Sequence, residues 1–187
     1  MKSVNLPRKK KHSKWVLSYN LSIKLLKFMI KKVQGDILLS KADAIAHGVA
    51  PLDHFDSGLA AHVREDYPSL YKDFRHYCQT YHPKPGSVWL WQGINHKKIF
   101  NLMTQEPAEH NSGHPGKASL HNLRHCLKEL VHQIEQNNIQ SIALPKIATG
   151  VGGLDWKDVE PIIEEHFAQS KIPVYVYDKY VKGQAAE

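Results

Sequence analysis

Apolar positions in this chain follow two alternating periods. Ile30-Lys31-Lys32-Val33-Gln34 reads as a short first strand, closed by Gly35-Asp36-Ile37. Ala42 to Ala50, "ADAIAHGVA", is small and apolar without helical period, as a buried parallel strand would be. Asp53 to Ser57 form a loop, and Ser57 is placed to cap a helix from Gly58 to about Glu65. Ser69 to Tyr81 predict a second helix, broken by Pro83, Pro85 and Gly86. "SVWLWQG" and Lys97 to Thr104 predict two more strands, and Glu106 to Gly116 a long surface loop. From Ser119 to Gln136, Leu120, Leu123, Leu127, Leu130, Val131 and Ile134 recur at helical spacing and form one apolar face. "SIALPKI", "DWKDVEPIIEEHF" and "PVYVYD" then give a strand, a helix and a last strand. The alternation predicts a three-layer α/β/α sandwich over a mostly parallel, mixed central sheet.

In such sheets ligands bind beyond the carboxyl ends of the strands. Three loops would meet there: the one after Val33, the one from His54 to Gly58, and Thr149 to Gly153.

Charge divides the chain. The net charge of 187 residues is +7, yet residues 1–28 hold eight Lys/Arg and no acid, leaving 17 basic against 18 acidic residues beyond them. Residues 1–28 therefore read as a basic, disordered tail or extension, residues 29–182 as one domain, and 183–187 as a C-terminal tail. The tail could hold an anionic surface or nucleic acid; the domain itself advertises no nucleic-acid face. No run approaches the ~20 apolar residues of a membrane span. Cys78 and Cys126 match no metal or redox spacing and read as reduced thiols in a cytoplasmic protein.

The candidate chemistry sits in the loops. "IALPKIATGVGGLDW", Ile142 to Trp156, leads a strand through three glycines into a helix. Its glycines admit close backbone approach, and its N–H groups and helix start attract an anion. No Gly-Lys-Ser/Thr follows, and the glycine spacing is not that of the dinucleotide fingerprint. A merely tight turn explains the loop alone equally well. "HFDSGLA" puts a second glycine-containing helix start after a buried strand, able to grip the other side of a diphosphate. Asp36 at a strand end can accept a hydrogen bond from an amino group or simply form a turn.

Taken in order, "VQGDILLSKADAIAHGV", "FDSGLA", "IFNLMT", "ALPKIATGVGGLDW" and "IPVYVYD" resemble a macrodomain, over about Met29 to Asp178. Within that superfamily the set is most similar to the branch of terminal ADP-ribose glycohydrolases and of antitoxins that remove ADP-ribose from DNA. The resemblance implies that Asp36 meets the adenine amino group beside Ile37. Ser57, Gly58 and Leu59 would form the first phosphate-and-ribose loop, and Thr149, Gly150, Val151, Gly152 and Gly153 the second. It implies ADP-ribose or an ADP-ribosylated protein or nucleic acid as partner, O-acetyl-ADP-ribose as a further substrate, no cofactor or metal, and a monomer. The implied activity is hydrolysis of an ADP-ribosyl linkage; the alternative is a non-catalytic reader. An anion-binding protein for another nucleotide is a third class.

Two positions depart from the branch. Its lysine after the "NLMT" strand is Gln105 here, and an acid that some members carry in the second loop is Gly152. Glutamine can form no Schiff base. Asp56 stands where the other main branch places an aspartate, and is the candidate catalytic carboxylate, orienting water; capping its helix is the plain alternative. Lys117 could stand in for the missing lysine, and His110 and His114 could reach a substrate. His121 and His125 have zinc-like spacing without a third ligand. Trp89, Trp91 and Trp156 read as core or cleft-wall residues.

Overall fold

The computed structural model describes residues 29–94, 96–109 and 113–187. Expectations for the basic tail and for His110 lie outside the described residues.

Six strands form one sheet: β1 (Ile30–Gly35), β2 (Ala44–Val49), β3 (Val88–Gln92), β4 (Lys98–Met103), β5 (Ile142–Pro145) and β6 (Val174–Tyr180). Their spatial order is β1-β6-β5-β2-β4-β3. Every pair is parallel except β3 with β4, which form an antiparallel edge. Among the described residues, four helices cover the sheet: α1 (Gly58–Asp66), α2 (Pro68–Tyr81), α3 (Leu120–Gln136) and α4 (Trp156–His166).

Alternation along the strands sorts the side chains onto the two faces of the sheet. Ala44, Ala46, Phe100 and Leu102 pack with Leu123, Leu127 and Leu130 of α3 and Val159, Ile162 and Ile163 of α4. On the opposite face Val49, Ile99 and Met103 pack with Val63 of α1 and Leu70, Phe74 and Cys78 of α2. The predicted α/β/α sandwich is the observed one.

Element bounds differ from expectation by a residue or two, but one face shifts. Leu120 is exposed, whereas Asn122 and Cys126 are buried. Leu120 is the first residue of α3, and burial along the helix begins with Asn122 and Leu123 of the same turn. Asn122 is buried because its amide donates to Glu106 Oε1 at 2.8 Å. Cys78 and Cys126 are both free and buried, and burial pushes the Cys126 thiol up to about 12. Among the described residues no helix is long and apolar enough to cross a membrane.

The parallel strands all point their carboxyl ends the same way, so the loops after β1, β2, β4 and β5 gather at one edge. Residues 181–187 return over this edge. Val181 N–H donates to Gly35 O at 3.1 Å, Asp36 N–H to Gln184 O at 2.7 Å, and the Tyr177 hydroxyl to Glu187 Oε2 at 2.6 Å.

Candidate functional site: a groove across the strand ends

Two cavities open along that edge and share Gly58, Leu59 and Pro145, so they form one groove. The outer part, about 630 Å3, is lined by Asp36, Ile37, Leu59, Tyr177 and Tyr180 among others. The inner part, about 160 Å3, is lined by His47, Gly48, Asp53, Ser57 and Gln105 on one side and by Gly150, Val151 and Gly152 on the other. A smaller recess, with His54 and Arg75, continues past Asp53 and Pro115.

At the outer end, Asp36 caps the short 3-10 turn Ile37–Leu39, its Oδ1 accepting from Leu38 N–H at 3.1 Å. The turn-forming role is therefore real, and it also fixes the carboxylate beside the groove.

The first glycine loop is set by Asp53. Its Oδ1 accepts from Phe55 N–H at 2.8 Å and its Oδ2 from Ala50 N–H at 3.1 Å, tying the end of β2 to the start of α1. Burial pushes the Asp53 carboxyl above its usual range, against the pull of these two N–H groups. Ser57 holds the N-cap position of α1 but makes no side-chain cap hydrogen bond, correcting the capping expectation. The first closed bond is Ala61 N–H to Ser57 O at 3.3 Å, which leaves the amides before it open to the groove.

In the second loop Gly152 is demanded by space. A Cβ there would lie 2.5 Å from Ala148 O and 2.9 Å from the Ala118 Cβ, whereas one on Gly150 would meet nothing within 4 Å. Gly153 is demanded by conformation, at φ 74°. Thr149 turns its hydroxyl inward on the loop, donating to Lys146 O at 2.7 Å.

The candidates for chemistry are placed less uniformly. Asp56 does not line the groove; its side chain is 44% exposed, and His114 Nδ1 stands 4.0 Å from its Oδ1. Gln105 does line it. Its Nε2 donates to Gly116 O at 3.1 Å, and its backbone bridges to Ala118, packing the amide into the wall. Lys117 lies along the second loop: its Nζ is 3.1 Å from where a Cβ on Gly153 would sit. His121 and His125 meet edge-on with ring centroids 4.5 Å apart on the exposed face of α3, and no cluster of three or more metal-type side chains occurs among the described residues. Trp91 is buried and donates to Asp73 Oδ2 at 2.9 Å, Trp89 stacks on Tyr77, and Trp156 packs partly buried against the first core, with Nζ of the groove residue Lys146 5.8 Å from its ring centre.

Two groove residues carried no sequence signal. Asp53 was one acid in a loop. His47 interrupts a small apolar strand, and whether it meets a core partner or a cleft depends on residues 54 positions away.

Against known proteins, residues 52–163 match the family model described as Macro domain. A DNA ADP-ribosyl glycohydrolase of Thermus aquaticus is 26% identical over 154 residues, covering 80% of this chain and 41% of that protein. The human ADP-ribose glycohydrolase OARD1 is 24% identical over 149 residues, covering 79% of this chain and 90% of that protein. Of solved structures, the macrodomain of Thermus aquaticus DarG is similar at a TM-score of 0.70 and 25% identity, covering 80% of this chain and 98% of that one. The chain spans less than half the length of the first three curated relatives it matches. With the sheet order, the groove at its strand ends and the family match over residues 52–163, the chain belongs to the Macro domain family.

Proposed function

We propose that the groove binds ADP-ribose and that the protein removes ADP-ribosyl groups from a modified substrate. The observation that carries this reading is the alignment of three features along one groove: the Asp36 carboxylate, the open amides at the start of α1, and the Thr149–Gly153 loop. A donor-rich middle suits a diphosphate, because backbone N–H groups and a helix N-terminus both favour negative charge. A fixed carboxylate at one end suits the adenine amino group. Ile37 lies beside Asp36; Ser57, Gly58 and Leu59 grip one side of the diphosphate, and Thr149, Gly150, Val151, Gly152 and Gly153 the other. The names of the relatives, an ADP-ribose glycohydrolase and a DNA ADP-ribosyl glycohydrolase, support the same ligand and reaction.

In the hydrolysis, water attacks the anomeric carbon of the sugar beyond the diphosphate. The bond from that carbon to the target breaks, and the target leaves with the bonding electrons and a proton. Asp56 is the carboxylate proposed to orient the water and take its proton. Its exposed place ahead of Ser57 requires the substrate itself to draw it over the groove. A reader function is favoured by a separate observation: Gln105 is packed as a wall amide, and the carboxylate fixed inside the groove, Asp53, is already occupied by two N–H groups.

Calorimetry with ADP-ribose tests the shared part, and saturable binding is expected. Incubation with mono-ADP-ribosylated protein, mono-ADP-ribosylated oligonucleotide and O-acetyl-ADP-ribose separates hydrolase from reader. Substrate loss that Asp56→Ala reduces at least about a hundredfold supports the assigned role. Turnover unchanged in that variant removes Asp56 from the mechanism, and binding without turnover leaves the reader.

A further inference from the structure

The outer face of α3 carries His121, His125, Lys128 and His132, spaced four, three and four residues apart. That spacing sets them in one row along the helix. All are exposed, and none lines the strand-end groove. The first two meet directly, with ring centroids 4.5 Å apart. Neither imidazole has a hydrogen-bond or ion-pair partner among the described residues.

The helix beneath them is firmly held. The Ser119 side chain caps its start, accepting from Asn122 N–H at 3.0 Å, and Leu123, Cys126, Leu127 and Leu130 anchor its inner face. His125 is also seated against Gly86, where an added Cβ would lie 3.1 Å from the His125 Cβ. Two flanking charges are engaged elsewhere. Arg124 donates to Glu165 Oε2 at 2.7 Å, and Glu129 Oε1 accepts from Gln133 Nε2 at 2.8 Å. Two imidazoles with free nitrogens are thus fixed one helical turn apart.

Histidines at i and i+4 on one helix face have the spacing that reaches a single metal ion. Two nitrogens bound at about 2.1 Å to a tetrahedral ion stand roughly 3.4 Å apart, and rings already in contact need only a small rotation to bring one nitrogen of each to that separation. Imidazole suits zinc, copper and nickel, whereas magnesium and calcium prefer oxygen. We infer that His121 and His125 form a two-ligand site for a divalent transition-metal ion such as zinc, outside the strand-end groove. No third His, Cys, Asp or Glu joins them among the described residues. Water therefore holds the remaining positions, and the ion exchanges with solvent, unlike one in a closed four-ligand structural site. The inference is independent of the ADP-ribose reading.

Calorimetry with zinc chloride on the full chain tests it, with magnesium chloride as the control ion. Wild type should show a saturable step with zinc and none with magnesium. His121→Gln and His125→Gln each remove one of the two nitrogens. Because the second contact is intramolecular, either variant should weaken the zinc step about a hundredfold. His132→Gln, in the same row, should leave it unchanged. His121→Gln combined with Glu129→His puts a histidine four residues beyond His125 and should restore the step. Circular dichroism of every variant should match wild type, so that a lost step reports a lost ligand and not a melted helix. Absence of a saturable zinc step in wild type would overturn the inference, as would a step that either single variant keeps. An equal loss in His132→Gln, failure of the paired variant to restore binding, or equal binding of magnesium would overturn it too.

Discussion

His47 and Asp53 line the same cavity, and burial moves them in opposite directions on the pH scale: His47 down to about 4 and Asp53 up from its usual carboxylate value. Both shifts favour the neutral form, as a poorly hydrated wall demands. Their effects on stability have opposite sign. For His47 the unfolded chain binds the proton more tightly, so its contribution is full above about pH 6.5 and is lost as pH falls towards 4. At about 1.4 kcal/mol per pH unit, that loss is of the order of 3 kcal/mol. For Asp53 the folded state binds the proton more tightly, so lowering pH through its folded value adds stability. Urea unfolding of wild type and His47→Gln at pH 7 and pH 4.5 isolates the first term, since Asp53 is common to both. The wild type should lose more stability between the two pH values; parallel losses would show that His47 is not held neutral. None of this was readable from "ADAIAHGVA", where a histidine among small apolar residues carries no mark of its partner. By contrast Asp36 could be read, because Gly-Asp at a strand end predicts a turn and the turn is what places the carboxylate.

At the scale of elements, the two glycine loops were legible because glycine marks the backbone conformation and the space it serves. The structure distinguishes glycines that the sequence makes look alike. Gly150 faces open space, whereas Gly152 is wedged between Ala148 and Ala118. Gly150→Glu should fold with stability changed by no more than about 0.5 kcal/mol. Its carboxylate should still weaken ADP-ribose binding about tenfold or more, through repulsion of the diphosphate. Gly152→Ala should lower both the melting temperature and the affinity, since the loop must move to admit a methyl group. Thermal unfolding and calorimetry on both variants check the pair; equal stability of the two would contradict the close approach. Helices were legible from period alone, with the error at Leu120, the first residue of α3. The unfilled cap at Ser57 was not legible, because Ser before a helix start predicts a cap whichever way its hydroxyl turns. The backbone does not decide it either: Ser57 is extended at φ −147° and ψ 156°, and Ser119, extended in the same way, does cap α3.

Across the whole molecule, the segment 181–187 joins the far end of the chain to the loop after β1. It accepts the Asp36 N–H, donates to Gly35 O and receives the Tyr177 hydroxyl at Glu187. Removing residues 181–187 frees the Asp36 turn, and ordering it again on binding costs affinity. Calorimetry should show ADP-ribose and AMP weakened by the same factor, roughly threefold to tenfold; unchanged affinity would show that the Asp36–Leu38 bond holds the turn alone. This long-range tie was invisible in a short polar tail. What the sequence by itself determined was local or periodic: strands, helices, the layered α/β class, the glycine loops and the carboxylate at the first strand end. Those follow from backbone preference and burial period, which act within a few residues. What only the tertiary structure decided was which groups share a boundary. It set Asp56 outside the groove and Asp53 inside it, packed Gln105 into the wall, and paired His47 with Asn101 so that one ring nitrogen is left bare. Such placements depend on contacts between residues far apart in the chain, and a buried polar atom takes its chemistry from those contacts.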